Sequence, residues 1–213
     1  MFDIASIIQK IAILIPPILL AVTVHEMAHG WVAYRLGDPT AKAFGRLTLN
    51  PLKHLDPVGT LVFFLTQTIG WAKPVPVNPA YFKDPRKDMM WVALAGPAAN
   101  LLLALTIALF LRGTSQYVFS LFHAFEYFGR PLFLMAYLGV QINIGLAVFN
   151  LLPIPPLDGG KILAGVLPSG AAPVLDGLER YGFVLILLLV FTGVTDHIIV
   201  PLIQALDSLL LGK

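Results

Sequence analysis

Residues 11–32 form an apolar stretch whose later half carries two histidines and a glutamate, His25, Glu26 and His29. The stretch is long enough to cross a bilayer as a helix, for which about 20 apolar residues suffice. Ionisable side chains at that depth are costly, and they usually face a protein interior or a wet cavity where they carry function. The chain must therefore fold so that other segments shelter these three groups.

The three side chains follow the pattern H-E-x-x-H, and the two histidines lie four residues apart, on one face of a helix. In this pattern both imidazoles bind a single Zn²⁺ ion and the glutamate reaches a water molecule as the base. With 5 His in 213 residues, a chance match is a poor explanation. A structural zinc or a satisfied polar cluster is the alternative, but neither needs the glutamate beside the first histidine.

Composition places the chain among membrane proteins with several spans. It is 57% hydrophobic and 12% charged, with a mean hydropathy of +0.81, whereas soluble domains carry about 25% charged residues. The absence of cysteine excludes disulfides and thiolate ligands, and a net charge of +2 does not suggest nucleic acid as a partner. No linker separates a soluble domain, so we expect residues 1–213 to form one membrane-embedded domain.

Four stretches are long enough to cross the membrane, namely residues 11–36, 89–111, 131–152 and 181–202. A fifth, residues 58–71, is short for a crossing and is interpreted as re-entrant. With four crossings, 10 of the 14 basic residues share one side, which the positive-inside rule assigns to the cytoplasm. This topology puts both termini outside and the polar end of the first span on the cytoplasmic side.

Two segments between the first and second long spans, residues 41–50 and 71–78, are predicted to be short extended strands. Pro74 and Pro76 cannot donate to a ladder, which favours an edge position. An ordinary proline-rich connecting loop is the alternative. The predicted fold class is thus an all-α polytopic membrane protein with about four long transmembrane helices, a short re-entrant segment and a small membrane-associated β-hairpin or sheet.

A catalytic zinc site usually takes three protein ligands, so two histidines leave one to be found. Asp158 is the strongest candidate, because the prolines and glycines around it predict irregular backbone, which apolar surroundings tolerate only inside protein or at a wet cavity. Asp158 could instead be a helix N-cap, or both. His54 and His197 are interpreted as polar residues near headgroups and His123 as lying on the wrong side; the other acidic candidates are Asp56, Asp176 and Asp196.

The segments HEMAHG, GRLTLNP, GWAKPVPVNP, AGPAANLLLAL and NLLPIPPLDGG together resemble the site-2 protease family of intramembrane zinc metalloproteases, in particular its compact prokaryotic members without a PDZ or CBS domain. The resemblance implies one Zn²⁺ per chain, bound by His25, His29 and Asp158, with Glu26 as the catalytic residue. It also implies that Asn150, eight residues before Asp158, holds the substrate or its developing oxyanion.

The resemblance makes the expected substrate a transmembrane protein or a signal-peptide remnant in a cell membrane. Because a helix hides its own peptide bonds, such a substrate must unwind, and an edge at Lys73, Val75 and Val77 could receive it. Asn100 and Asn143 could bind substrate, although hydrogen bonds between spans explain them equally well. The alternative function is a non-proteolytic membrane protein that uses the zinc site structurally or for partner binding.

Overall fold

The computed structural model describes residues 4–66, 70–124, 126–168 and 172–212, which are mostly helical. Side chains are described for most of these residues. The helices are α1 (Ile4–Arg35), α2 (Thr40–Ala43), α3 (Pro57–Thr66), α4 (Pro85–Ala124), α5 (Glu126–Asn150), α6 (Asp158–Val166), α7 (Ala172–Phe191) and α8 (Val194–Leu211).

Three helical stretches are long and apolar enough to cross a membrane, as judged by length and composition: Ile8–Arg35, Pro85–Gly113 and Gly129–Asn150. They correspond to the first three predicted spans. Apolar helices of this kind satisfy their backbone hydrogen bonds internally, which is the condition for crossing hydrocarbon. The chain is therefore a helical, membrane-embedded protein.

The three spanning helices pack on one another in alternating directions. Alanines Ala104 and Ala108 of α4 face Val140 and Ile144 of α5 in a buried cluster, and Ile203 of α8 packs against it. Small side chains at such contacts let helix backbones approach closely. The last part of α1, the first turns of α4 and the last turn of α5 meet at one end of the bundle, which we call the polar end.

The predicted hairpin or sheet does not form in the described part of the chain. Residues 41–50 instead begin in α2, turn at Gly45 with φ 64°, and lead into a 3₁₀ turn at Pro51–Lys53. Residues 71–78 are extended but unpaired, apart from one isolated antiparallel bridge between Leu55 and Ala72. Prolines without N–H groups prevent the ladder from continuing beyond that bridge.

The segment predicted to be re-entrant has its two ends side by side. The bridge joins Leu55 to Ala72, and the Lys73 N–H donates to the His54 carbonyl at 2.9 Å. Gly59 is packed so closely against the Trp71 carbonyl that a Cβ would lie 2.2 Å from its oxygen. The start of helix α3 and the start of the extended segment therefore lie next to each other.

The predicted last span, residues 181–202, is not one helix. It is divided by a turn at Thr192 and Gly193, where Gly193 takes φ 70°, and its two parts belong to α7 and α8. Hydropathy averaged over the whole stretch does not reveal such a turn, because most residues of 181–202 are apolar. Helix α8 ends beside Arg112, whose Nη1 lies 3.4 Å from the Leu209 carbonyl, at the end of the bundle opposite the polar end.

This arrangement predicts the accessibility of single cysteines in a chain that has no native cysteine. Thr48→Cys and Lys83→Cys should react with an impermeant maleimide from one side of the membrane, because both residues lie at the polar end. Ser208→Cys, near the end of α8, should react from the other side. The unmodified chain is the control for background, and labelling of Thr48→Cys and Lys83→Cys from opposite sides would contradict the fold.

Candidate metal centre

Three side-chain atoms from two distant parts of the chain converge at the polar end. His25 Nε2 and His29 Nε2 lie 3.0 Å apart, and each approaches Asp158 Oδ2, at 3.1 and 3.2 Å. All three side chains are buried. The predicted set of two histidines and an aspartate therefore meets in space, as a group able to hold a metal ion.

The geometry of this cluster fits Zn²⁺. Ligand atoms about 2.0–2.1 Å from a tetrahedral ion lie about 3.3 Å from one another, close to the three distances here. Asp158 Oδ2 is buried without a hydrogen-bond partner of its own, although burial of a carboxylate oxygen is costly unless a cation or donor compensates it. Two imidazoles and one carboxylate are also a ligand set that catalytic zinc uses.

A relay of hydrogen bonds behind His25 fixes the proton on its ring. His25 Nδ1 donates to Asn100 Oδ1 at 2.6 Å, which leaves Nε2 with its lone pair toward the cluster. Asn100 Nδ2 donates to the Ala21 carbonyl and to Asn143 Oδ1, and Asn143 Nδ2 donates to the Gly139 carbonyl. Second-layer partners of this kind set the tautomer and orientation of a metal-binding imidazole.

His29 is fixed in the same way by the backbone of α4. Its Nδ1 donates to the Val92 carbonyl at 2.7 Å, so its Nε2 also faces the cluster with a free lone pair. The two rings meet edge to face, with centroids 4.5 Å apart. Both imidazoles therefore direct their Nε2 atoms at one point.

Helix α4 reaches the histidines only because residue 96 is glycine. A Cβ built at Gly96 would lie 2.5 Å from His29 Nε2 and 2.6 Å from His25 Cε1. Contacts below about 3 Å require the imidazoles or the helix to move. No local sequence pattern predicts this role of Gly96, because the need for a missing side chain follows only from the neighbours that it contacts in the fold.

Asp158 enters the site on the first turn of α6, after the irregular residues 151–157. It does not act as an N-cap: the N-cap position is Leu157, and no side chain caps this helix. Gly159 lies against the Leu152 carbonyl, where a Cβ would be 2.1 Å from the oxygen. Arg86 anchors the other end of α6 by donating from Nε to the Ala164 carbonyl at 2.6 Å.

A nearby cation or proton donor keeps Asp158 ionised. Burial raises the pKa of its carboxyl, but His25 and His29, when they carry a proton on Nε2, outweigh burial and hold the pKa well below its usual range. A bound metal ion would replace those protons. An ionised carboxylate is the form that binds a metal ion.

Glu26 lies beside the cluster and is oriented by backbone. Its Oε2 accepts a hydrogen bond from the Val75 N–H at 2.8 Å. The two residues are 49 positions apart, so this contact ties the extended segment to α1 at the site. The second carboxylate oxygen of Glu26 is left for other partners.

A cavity of about 340 Å³ opens in front of these groups. His25, Glu26, His29 and Asp158 line it together with Val75, Val77, Asn150 and Lys161. Asn150 donates from Nδ2 to the Leu146 carbonyl of its own helix at 2.9 Å. The cavity is thus lined by the ligand cluster, the Glu26 carboxylate, the Asn150 amide and part of the extended segment.

Several residues predicted to bind substrate occupy other positions. Asn100 and Asn143 are fully buried behind His25 and are not among the residues that line the cavity, so the alternative of hydrogen bonds between helices describes them. The Lys73 side chain is exposed and lies outside the lining, although its neighbours Val75 and Val77 belong to it.

The remaining candidate ligands lie away from the cluster. His54 is fully buried rather than near headgroups, and its Nε2 donates to the Thr48 carbonyl. His197 is exposed on α8, and Asp56 accepts from the Gly59 N–H at the start of α3. The side chains of His123, Asp176 and Asp196 lie outside the described residues.

Comparisons with known proteins agree on one family. The model of peptidase family M50 matches residues 13–190. The chain is 41% identical to YwhC of Bacillus subtilis over 198 residues, 92% of this chain and 89% of that protein. It is 32% identical to Rip2 of Mycolicibacterium smegmatis over 178 residues, 82% of this chain and 64% of that protein. Both relatives carry the words zinc metalloprotease in their names. No solved structure matches the chain.

The close approach at Gly96 predicts a specific defect. Gly96→Ala should lower the affinity for Zn²⁺ by about 10–100-fold, as displaced metal ligands typically do, because the new methyl group overlaps both imidazoles. Gly113→Ala is the matched control on the same helix, since a Cβ there meets no atom within 4 Å. Zinc competition with a chelating dye measures both variants, and equal affinity of Gly96→Ala and wild type would contradict the close approach.

Proposed function

Because the chain belongs to peptidase family M50 and is an intramembrane zinc metalloprotease, we propose that His25, His29 and Asp158 bind its zinc ion and that Glu26 is its catalytic base. The family match and the named relatives confirm the predicted resemblance, the enzyme class and the zinc cofactor. They give no support to the non-proteolytic alternative. The observation that carries the residue assignment is the convergence of three ligand atoms beside a glutamate on one cavity.

Each residue has a distinct task in the proposed reaction. Zn²⁺, when bound, acidifies water and polarises the scissile carbonyl. Glu26 accepts the proton of the attacking water on its free carboxylate oxygen and returns it to the leaving amine. Val75 keeps the other oxygen engaged through its N–H, so the carboxylate does not rotate away from the cavity.

Asn150 is the proposed donor to the substrate. One N–H of its amide is engaged by the Leu146 carbonyl, which orients the group, and the amide lines the same cavity as the ligand cluster. The second N–H is then available for a substrate carbonyl or for the oxyanion that develops from it. Asn100 and Asn143 serve instead to hold His25.

The extended segment supports a binding mode for an unwound substrate. Pro74 and Pro76 have no N–H, whereas Val75 and Val77 alternate with them and line the cavity. In an extended chain, residues two apart present their backbone groups to the same edge. We propose that a substrate strand pairs with the edge of Val75 and Val77 by β-augmentation, without the Val75 N–H, which is engaged by Glu26.

The finer topology is also a proposal. The polar end carries most of the basic residues, which supports a cytoplasmic active site. The paired ends of α3 and the extended segment support a re-entrant element. Gly182 of α7 packs against the Pro155 carbonyl and α8 ends beside Arg112, so the later part of α7 and α8 together would make the fourth crossing of a single domain in the cell membrane.

The role of Glu26 is tested by Glu26→Gln. The amide occupies nearly the same volume but cannot accept the water proton, so cleavage of a model transmembrane substrate should fall below detection while one zinc per chain remains. His25→Ala is the contrasting variant, since it should lose both activity and zinc. Turnover by Glu26→Gln at the wild-type rate would remove Glu26 from the reaction.

The role of Asn150 is tested by Asn150→Ala. Loss of one oxyanion donor typically lowers kcat by about 10²–10³-fold, and zinc content and thermal stability should stay near wild type. Activity and unfolding temperature should be measured on the same preparation. A parallel fall in stability and activity would show that Asn150 is a packing residue.

A further inference from the structure

Arg46 is a buried cation with no acidic partner in the described part of the chain. Only 6% of the residue is exposed, and no described carboxylate forms an ion pair with it. Its Nε has no hydrogen-bond partner among the described atoms. Burial of a charge is expensive unless it is paired and fully hydrogen-bonded. A methionine would fill this space at lower cost, so the guanidinium needs a reason other than packing.

The chain turns inward at Arg46 because of the residue before it. Helix α2 ends with the Gly45 N–H donating to the Lys42 carbonyl and the Arg46 N–H donating to the Ala41 carbonyl, each at 2.9 Å. These two bonds, with Gly45 at φ 64°, make a Schellman termination. The left-handed glycine therefore sets the direction in which Arg46 leaves the helix.

The Arg46 guanidinium hydrogen-bonds to the backbone of the extended segment. Arg46 Nη2 donates to the Lys73 carbonyl at 2.5 Å and approaches the Pro74 carbonyl at 3.3 Å. Apart from the single bridge, no strand pairs with this segment in the described part of the chain. The arginine therefore holds in place a segment whose prolines cannot form a ladder.

One of the two peptide groups that Arg46 binds is also the one that contacts Glu26. The peptide bond between Pro74 and Val75 is planar, so a fixed Pro74 carbonyl also fixes the direction of the Val75 N–H. That N–H donates to Glu26 Oε2 at 2.8 Å. Farther along, the Asn78 N–H donates to Asp38 Oδ2 at 2.7 Å, which anchors the other end of the segment.

We propose that Arg46 is a positioning residue of the hydrolysis: it holds the peptide between Pro74 and Val75 so that the Val75 N–H orients the Glu26 carboxylate for proton transfer. The proposal rests on the proposed role of Glu26. Arg46 itself lies outside the cavity lining and touches neither the ligand cluster nor the site of the substrate.

A second arginine offers a contrast. Arg86 also donates to a backbone carbonyl, that of Ala164, but it holds the helix that carries Asp158. Loss of Arg86 should therefore weaken zinc binding, whereas loss of Arg46 should slow turnover and leave the zinc in place. A comparison of substitutions at the two arginines therefore distinguishes an effect on the ligand cluster from an effect on Glu26.

The experiment measures kcat, KM and zinc content of the full chain with a model transmembrane substrate. Arg46→Met should lower kcat by about 10–100-fold, as loss of a second-layer contact typically does, with one zinc per chain retained. Arg46→Lys should recover part of the loss, because an ammonium reaches one carbonyl. Arg35→Met is the control for the same charge change, since Arg35 is exposed and lies over the Trp31 ring.

A double-variant cycle tests whether Arg46 acts through the Val75 N–H. Val75→Pro removes that N–H and keeps an apolar side chain, and it should lower kcat more than Val75→Ala, which keeps the N–H. Arg46→Met combined with Val75→Pro should be no slower than the slower single variant, because residues that act through one contact are not additive. Hydrogen exchange supplies a readout independent of activity: amides of residues 73–78 should exchange faster in Arg46→Met.

The proposal is overturned by any of three results: kcat of Arg46→Met within twofold of wild type, losses that multiply in the double variant, or a joint loss of zinc and thermal stability in both Arg46→Met and Arg46→Lys. The last result would show that Arg46 stabilises the fold and does not specifically position Glu26. Failure of the catalytic assignment itself is recognised separately, by an active Glu26→Gln, so the two failures can be told apart.

Discussion

The meeting of two imidazole nitrogens and one carboxylate oxygen within about 3 Å, inside an apolar protein, is the interaction on which the rest of the structure depends. Such groups stay buried only if every polar atom has a partner. Asn100 and the Val92 carbonyl supply the partners on the outer side of the rings. Gly96 supplies the space, and the glycines after Asp158 let α6 approach. A zinc ion bound as proposed would complete the set from the inner side.

The part of the chain between α1 and α4 has a different task, which is to place backbone next to the cluster. Its prolines leave it without a sheet, and side chains replace the missing strand: Arg46 at one edge, Glu26 at the other and Asp38 at the far end. Two of these three groups are buried charged side chains. An irregular segment is therefore held next to Glu26 without belonging to a sheet.

Much of the site could be predicted from the sequence because metal chemistry restricts residue type and spacing. The four-residue separation of His25 and His29 requires a shared helix face, and the prolines around Asp158 required a buried or wet setting for an irregular backbone. The first three spans followed from the length of the apolar runs.

Other features depend on contacts that no local pattern records. Residues 41–50 looked extended, but Gly45 turns the chain out of a short helix, and Gly193 breaks a run that hydropathy treats as continuous. The roles of Asn100 and Asn143 were left open, because an amide in a span suits substrate binding and helix packing equally well. Gly96 and Arg46 lie in segments that carry the family resemblance, but no local pattern assigns them a role, since one acts by lacking a side chain and the other by bonding to backbone 27 residues away.

The amide relay from His25 through Asn100 to Asn143 also limits how a substrate reaches the cavity. It ties α1, α4 and α5 together with bonds that end on a ligand ring. An entry route that separates these three helices would break the relay. The His25 ring would then no longer be held in one tautomer. Routes that displace the extended segment or α6 leave the relay intact. The relay therefore makes entry between α1, α4 and α5 costly, whereas entry past residues 72–78 or 151–166 breaks none of its bonds.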